Sequence, residues 1–247
     1  MTDPVVEATG LVKTFPGVRA VDGVSLELAP GRVEAIVGPN GSGKSTVLDL
    51  LAGLQEPTAG RIHLDGTDVT DDPVWELARR GVLKTFQLSN VFDHLSVADN
   101  VRLARHLADG SQEYVTPLAD AVGPVEPSLR RVGLADERDA LARTLSYGQQ
   151  RLLELAVVLA TDPRVVLLDE PTAGLSEHNR DRIAEIVESM ADDRAVLLVE
   201  HELETVARLA DHVNLCHEGS FVTSGTYEDL RADPRARQLY FGGVSGG

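Results

Sequence analysis

Lysine is nearly missing from this chain of 247 residues: Lys13, Lys44 and Lys84 are the only three, and arginine supplies the other 20 of the 23 basic positions. Acidic residues number 39, giving a formal net charge of −16. A nucleic-acid binder gathers Lys and Arg to neutralise phosphates, so this balance argues against nucleic acid as a partner. An acidic, lysine-poor surface stays hydrated in concentrated salt, which makes a salt-loving source one expectation; a genome rich in G and C also favours Arg over Lys. Cysteine is limited to Cys216, which excludes an internal disulfide and a cysteine-built metal cage and leaves a small apolar core residue. Long hydrophobic runs are absent too, none approaching the roughly 18–20 residues that span a bilayer. The start, Met1-Thr2-Asp3-Pro4, lacks the basic and apolar regions of a secretory signal. The expectation is a soluble, cytoplasmic protein whose membrane role, if it has one, comes through a partner chain.

What is present begins at Gly38-Pro39-Asn40-Gly41-Ser42-Gly43-Lys44-Ser45-Thr46. The apolar run Val33–Val37 precedes it and a helical pattern from Val47 follows, so the spacing G-x-x-x-x-G-K-[ST] lies on a strand, a turn and a helix. Glycines let the backbone curl so that successive N–H groups point at phosphate oxygens, and the helix start adds its positive dipole end. Lys44 reaches the β- and γ-phosphates in such a loop, and the Ser45 hydroxyl takes a Mg²⁺ position. A plain glycine-rich turn mimics part of this pattern, not its whole length between strand and helix. The chain is expected to bind a nucleoside triphosphate.

The length fits one large α/β domain or a core with a subdomain. Val5–Leu28 alternates as two or three antiparallel strands, and Gly60–Gly66 reads as another short strand. Pro73–Arg80 reads as a helix with Pro73 in its first turn, followed by a strand over Val82–Phe86. From Ser96, an N-cap with Asp99 at the third helical position, helical pattern runs to about Ala160, broken near residues 109–111 and 123–124. Near-continuous apolar strands at 164–169 and 195–199 then alternate with helices at 176–190 and 202–209. A hairpin follows around Glu218-Gly219, and the tail over Tyr227–Tyr240 reads as helical. The pattern predicts a mostly parallel sheet covered on both faces, with antiparallel N-terminal strands and an inserted helical segment. In boundaries, residues 1–87 and 161–225 form the core, 88–160 the helical subdomain and 226–247 the tail.

The second half carries matching chemistry. Asp169-Glu170 ends a buried strand, at the side of an open α/β sheet that faces the ligand crevice. Asp169 can hold Mg²⁺ through water, and Glu170 can accept a proton from an attacking water. Glu200-His201 ends the neighbouring strand in the same way; a histidine there is ordinarily structural, but beside a γ-phosphate it can orient the water.

Leu145-Ser146-Tyr147-Gly148-Gln149-Gln150 opens a helical run about twenty residues before Asp169. Alone it is a turn and a helix cap. Together with Gly38–Thr46, Gln87, Asp169-Glu170 and His201, in that order, it resembles the signature of ATP-binding-cassette (ABC) proteins, over essentially the whole chain. The resemblance implies a P-loop NTPase fold of the ABC type. It makes Phe15 the aromatic that stacks on adenine, with Val21 against the base, and Gly38–Thr46 the phosphate loop. Gln87 becomes the glutamine that touches Mg²⁺ and senses the membrane subunit. Ser146, Gly148 and Gln149 complete the nucleotide site of a second subunit, Asp169 and Glu170 carry metal and water, and His201 is the switch histidine. Two departures stand out: Tyr147 replaces a glycine, and Ala173-Gly174-Leu175-Ser176 lacks a terminal aspartate, which weakens any claim of direct communication between two sites. LSYGQQ with Lys84-Thr85-Phe86-Gln87 and Leu198–Glu202 resembles the ATPases of branched-chain amino-acid importers, and urea-type importers are close relatives. The implied protein is a cytoplasmic ATPase on the inner face of the membrane, using ATP and Mg²⁺. Its implied partners are permease subunits, a second cassette and, indirectly, a solute-binding protein. Competing readings are an importer ATPase for urea or short amides, a lipid-type exporter ATPase, and a soluble ABC ATPase without a permease. Lys44, Gln87, Asp169, Glu170 and His201 as a complete set argue against an inactive binding module.

Overall fold

The computed structural model describes residues 3–85, 91–108 and 124–241. The chain opens with strands β1 (Val6–Phe15), β2 (Val18–Leu28) and β3 (Arg32–Val37), then helix α1 (Lys44–Leu51). Strands β4 (Ala59–Leu64) and β5 (Thr67–Asp68), helix α2 (Val74–Arg79) and strand β6 (Val82–Lys84) follow. The described regular elements of the next stretch are helical: α3 (Val97–Ala108), α4 (Glu126–Val132), a 3-10 turn at Ala142–Thr144 and α5 (Tyr147–Ala160). The chain then alternates β7 (Val165–Asp169), α6 (Glu177–Ala191), β8 (Ala195–Val199) and α7 (Leu203–Leu209). It closes with the hairpin β9 (His212–His217) and β10 (Ser220–Gly225), then α8 (Tyr227–Ala232) and α9 (Pro234–Ala236).

Two sheets result. One is antiparallel in the order β2-β1-β4-β5, the other runs β10-β9-β3-β8-β7-β6 and is parallel except for β10. The unbroken Val/Leu runs of β7 and β8 follow from burial on both faces. Val165, Leu167, Ala195, Leu197 and Val199 pack toward the antiparallel sheet and α1. Val166, Leu168, Val196 and Leu198 pack toward α3–α6. All nine are fully buried, each Val or Leu contributing roughly 1.5–3 kcal/mol.

The N-terminal segment forms two strands, not three, because β1 bends through irregularities between Ala8 and Leu11, at Leu11/Val12 and at Lys13/Thr14 without breaking. Ser96 caps α3 as expected: its Oγ accepts from the Asp99 N–H at 3.0 Å and donates to the Asp99 carboxylate at 2.7 Å. Pro73 is extended (ψ 158) and precedes α2 instead of lying in its first turn. The tail is helical but segmented. Pro234 has no N–H to continue α8, so the helix restarts after Asp233, whose carboxylate caps α9 by accepting from the Arg235 N–H at 2.7 Å, and the described residues end in a π turn over Arg237–Phe241.

Candidate functional site

Parallel register between β3, β8 and β7 brings three carboxyl ends side by side: the Gly38 loop after β3, Glu200-His201 after β8, and Asp169-Glu170 at the end of β7. Neighbouring strands lie about 4.8 Å apart, so Ser45 and Asp169, 124 residues apart in sequence, share one crevice. A cavity of about 630 Å³ opens there, lined by Asn40, Gly41, Gly43, Lys44, Ser45 and Thr46 of the loop, by Glu170, by Glu218-Gly219 of the terminal hairpin, and by Val18, Arg19 and Ala20 of β2.

Lys44 is buried, and its Nζ donates to the carbonyls of Gly38 and Pro39, both at 2.9 Å. Burial pushes its pKa below the ordinary lysine value, opposed by the negative charge of Glu170 and Asp169. An anionic phosphate arriving here restores the charge partner that water supplied outside. Gly43 has φ 103, and a Cβ there would lie 2.2 Å from the Ala20 carbonyl oxygen, so only glycine lets the loop press against β2. Cys216 is buried behind the loop and donates its thiol to the Ser42 carbonyl at 2.9 Å. Burial raises its pKa, so it stays a neutral core thiol, as expected.

The Ser45 hydroxyl donates to Asp169 Oδ1 at 3.3 Å. A hydroxyl and a carboxylate meeting at a phosphate loop are hard oxygen donors of the kind Mg²⁺ takes alongside phosphate and water, so these residues fit that ion. On its other side Asp169 faces Lys84, whose Nζ lies 3.3 Å from Oδ2 and 2.6 Å from Asp49 Oδ1. Glu170 has a left-handed backbone (φ 48), a conformation that costs about 1–3 kcal/mol for a residue with a side chain. Its N–H donates to the Val199 carbonyl at 2.9 Å, and its Oε1 lies 2.7 Å from His201 Nε2. The turn therefore aims the carboxylate at the cavity, and the histidine holds it there.

Lys44, Ser45, Asp169, Glu170 and His201 thus converge. Gly38, Pro39, Asn40, Gly41, Ser42 and Thr46 form the loop around them. Val21 does not face the cavity: it is fully buried in the core, because alternation along β2 turns its side chain inward, and Val18 and Ala20 line the cavity instead. Phe15 is 37% exposed, with Lys13 Nζ 5.2 Å over its ring. It pairs with Val18 across the β1–β2 turn, at the rim of the cavity and outside its lining. Gln87 lies outside the described residues. Ser146, Gly148 and Gln149 open α5 and take no part in this cavity. Ser146 and Gln149 form a reciprocal cap, the Gln149 Oε1 accepting from the Ser146 N–H at 3.0 Å. Gly148 packs so closely that a Cβ would lie 2.2 Å from Asn179 Nδ2. Sequence reasoning missed Lys84, which contacts Asp169, as part of this site, and gave no role to Glu200 behind it. Each is a charged residue in or just after an apolar strand, the one signal that pointed to them.

The ABC transporter family profile matches residues 21–173. The chain is 34% identical to the high-affinity branched-chain amino acid transport ATP-binding protein BraF of Pseudomonas aeruginosa, over 98% of this chain and 99% of that one. It is 32% identical to LivG of Escherichia coli K12, which carries the same description, over the same shares. Among solved structures, an ATP-binding cassette of an ABC transporter in its ADP conformation superposes with a TM-score of 0.85 at 27% identity, over 98% of this chain and 100% of that one.

Proposed function

The chain belongs to the ABC transporter family as an ATP-binding subunit that hydrolyses ATP, and from that premise we propose that it energises an importer of branched-chain and other hydrophobic amino acids. The observation that carries this reading is the meeting of Lys44, Ser45 and Glu170 in one cavity, with Asp169 bonded to Ser45 and His201 to Glu170, in a chain similar along its whole length to BraF and LivG.

In this reading the loop Gly38–Thr46 wraps the phosphates with its N–H groups, and Lys44 leaves the Gly38 and Pro39 carbonyls to meet the β- and γ-oxygens. Ser45 and Asp169 would hold Mg²⁺, which would supply neutralisation of the charge developing on the phosphates. Glu170 accepts the proton of the attacking water. His201, bonded to Glu170 at 2.7 Å, fixes its orientation and comes within reach of the γ-phosphate. Phe15 stacks on the adenine at the cavity rim. Gln87 would touch the metal and sense the membrane subunit. Ser146, Gly148 and Gln149 serve the nucleotide of a second cassette, so ATP joins two subunits and hydrolysis lets them part. The γ-phosphate supplies the differential affinity that drives the change.

No helix of the described residues is long and apolar enough to cross a membrane. A second cavity, of about 600 Å³, lies among α2, β6, α3 and α5 and leaves Trp75 57% and Leu107 63% exposed. That apolar surface supports the reading that a permease segment seats here and that the chain lies on the cytoplasmic face of the membrane.

Two measurements test the proposal. Glu170→Gln keeps ATP affinity within about threefold while turnover falls about 10²–10⁴-fold; near-normal hydrolysis removes Glu170 from the role of base. Affinity isolation from gently solubilised native membranes, with mass spectrometry, recovers permeases, a second cassette and a solute-binding protein. Stimulation of the isolated complex by leucine, isoleucine or valine loaded on that binding protein supports the substrate class. Stimulation by urea or short amides, or recovery from the soluble fraction without a membrane partner, replaces it.

A further inference from the structure

The buried carboxylate of Glu200 has no part in the chemistry described above. It is 1% exposed, a costly place for a charge unless donors surround it. Its two oxygens face different loops. Oε1 accepts from the N–H of Thr172 at 3.0 Å and from its hydroxyl at 2.5 Å. Oε2 accepts from the N–H of His201 at 3.0 Å and of Glu202 at 3.4 Å. Thr172 is fully buried and lies two residues after Glu170. On the far side of the same histidine, the Tyr240 hydroxyl from the C-terminal turn donates to the His201 carbonyl at 3.3 Å. Burial and the nearby Glu200 charge push the Tyr240 pKa up to about 12, so the phenol stays a donor at any working pH.

We propose that Glu200 is a positioning residue that couples the segment after Glu170 to His201, with Tyr240 fixing the other side of the His201 peptide. The inference rests on the ATPase reading above and deepens it. One planar carboxylate spans the ends of β7 and β8, so a displacement of Thr172 is carried to His201 and through its ring to Glu170. Coupling by this route needs no aspartate at the end of Ala173–Ser176. Glutamine cannot replace the carboxylate, because its single acceptor oxygen serves one loop while its NH₂ meets donors at the other.

The test is steady-state ATPase kinetics, with thermal unfolding as the control, on the wild-type chain, Glu200→Gln, Glu200→Ala, Thr172→Val, Tyr240→Phe and the double variant Glu200→Ala/Thr172→Val. Loosening His201 by a fraction of an ångström predicts kcat lower by roughly 10- to 100-fold in the Glu200 variants, with KM for ATP within about threefold. Thr172→Val lowers kcat about fivefold alone and adds nothing once Glu200 is gone. Tyr240→Phe lowers kcat severalfold without moving KM. Folded Glu200→Gln with wild-type kcat, or effects of Glu200 and Thr172 that simply multiply, overturns the coupling. If the Glu200 variants fail to fold, Thr172→Val and Tyr240→Phe decide: wild-type kcat in both sinks the proposal. A wild-type chain that does not hydrolyse ATP counts against the ATPase reading; an active wild type with unaffected variants counts against this inference alone.

Discussion

Replacing Gly43 by alanine isolates what the close approach of the phosphate loop to β2 contributes. Two costs add. At φ 103 an alanine sits in a region L-residues avoid, worth about 1–2 kcal/mol and partly offset by a less flexible unfolded chain. Its Cβ would also start 2.2 Å from the Ala20 carbonyl oxygen, where real contacts stay above 3.0 Å, so loop or strand must yield. Overpacking of that kind adds roughly 1–3 kcal/mol. The residues displaced first are Lys44 and Ser45, proposed above to carry the phosphate and metal contacts, and a shift near 1 Å in such groups costs on the order of 10²-fold. Gly31→Ala is the control: φ is 80, nothing lies within 4 Å, and the residue is outside the cavity lining. Thermal unfolding with and without saturating Mg-ATP separates the effects, because a ligand stabilises in proportion to the logarithm of its concentration over Kd. Gly31→Ala is expected to lose about 2–4 °C and keep the nucleotide-induced rise in Tm. Gly43→Ala is expected to lose roughly 5–15 °C and most of that rise. A full nucleotide-induced rise in Gly43→Ala, or its loss in Gly31→Ala, refutes the reasoning.

Phe15→Ala is expected to weaken ATP binding about fivefold, the low end of a base-stacking contribution for a ring on the rim, and to leave kcat unchanged; unchanged affinity in a titration assigns the ring to Lys13 alone. Raising the pH probes Tyr240. Its folded pKa of about 12 exceeds the unfolded value near 10, so between those values the unfolded chain has lost a proton that the folded chain keeps, and stability falls as pH rises. The loss reaches about 2 kcal/mol by the upper end of that window. Denaturant melts at pH 9 and pH 11 check it: the difference between wild type and Tyr240→Phe is expected to shrink at the higher pH, and a constant difference refutes the assignment.

The sequence determined the phosphate loop, the buried strands and the order of motifs, because each is written locally. Gly38–Thr46 needs its residues contiguous to curl around a phosphate, and an unbroken Val/Leu run such as Val165–Leu168 is explained only by burial on both faces. The capping pair Ser96 and Asp99 was legible for the same reason. Fine boundaries were less so, since Pro234 and the bends of β1 act on hydrogen bonding that composition does not display. Which side chains meet depends instead on how the strands pair and pack. Val21 and Val18 differ by three positions on one strand, and alternation sends the first into the core while the second lines the cavity. Lys84 reaches Asp169, and Glu200 reaches Thr172, because β6, β7 and β8 pair in parallel with a fixed register. That register is set by burial over the whole sheet, a sum over many residues that no single stretch of sequence contains.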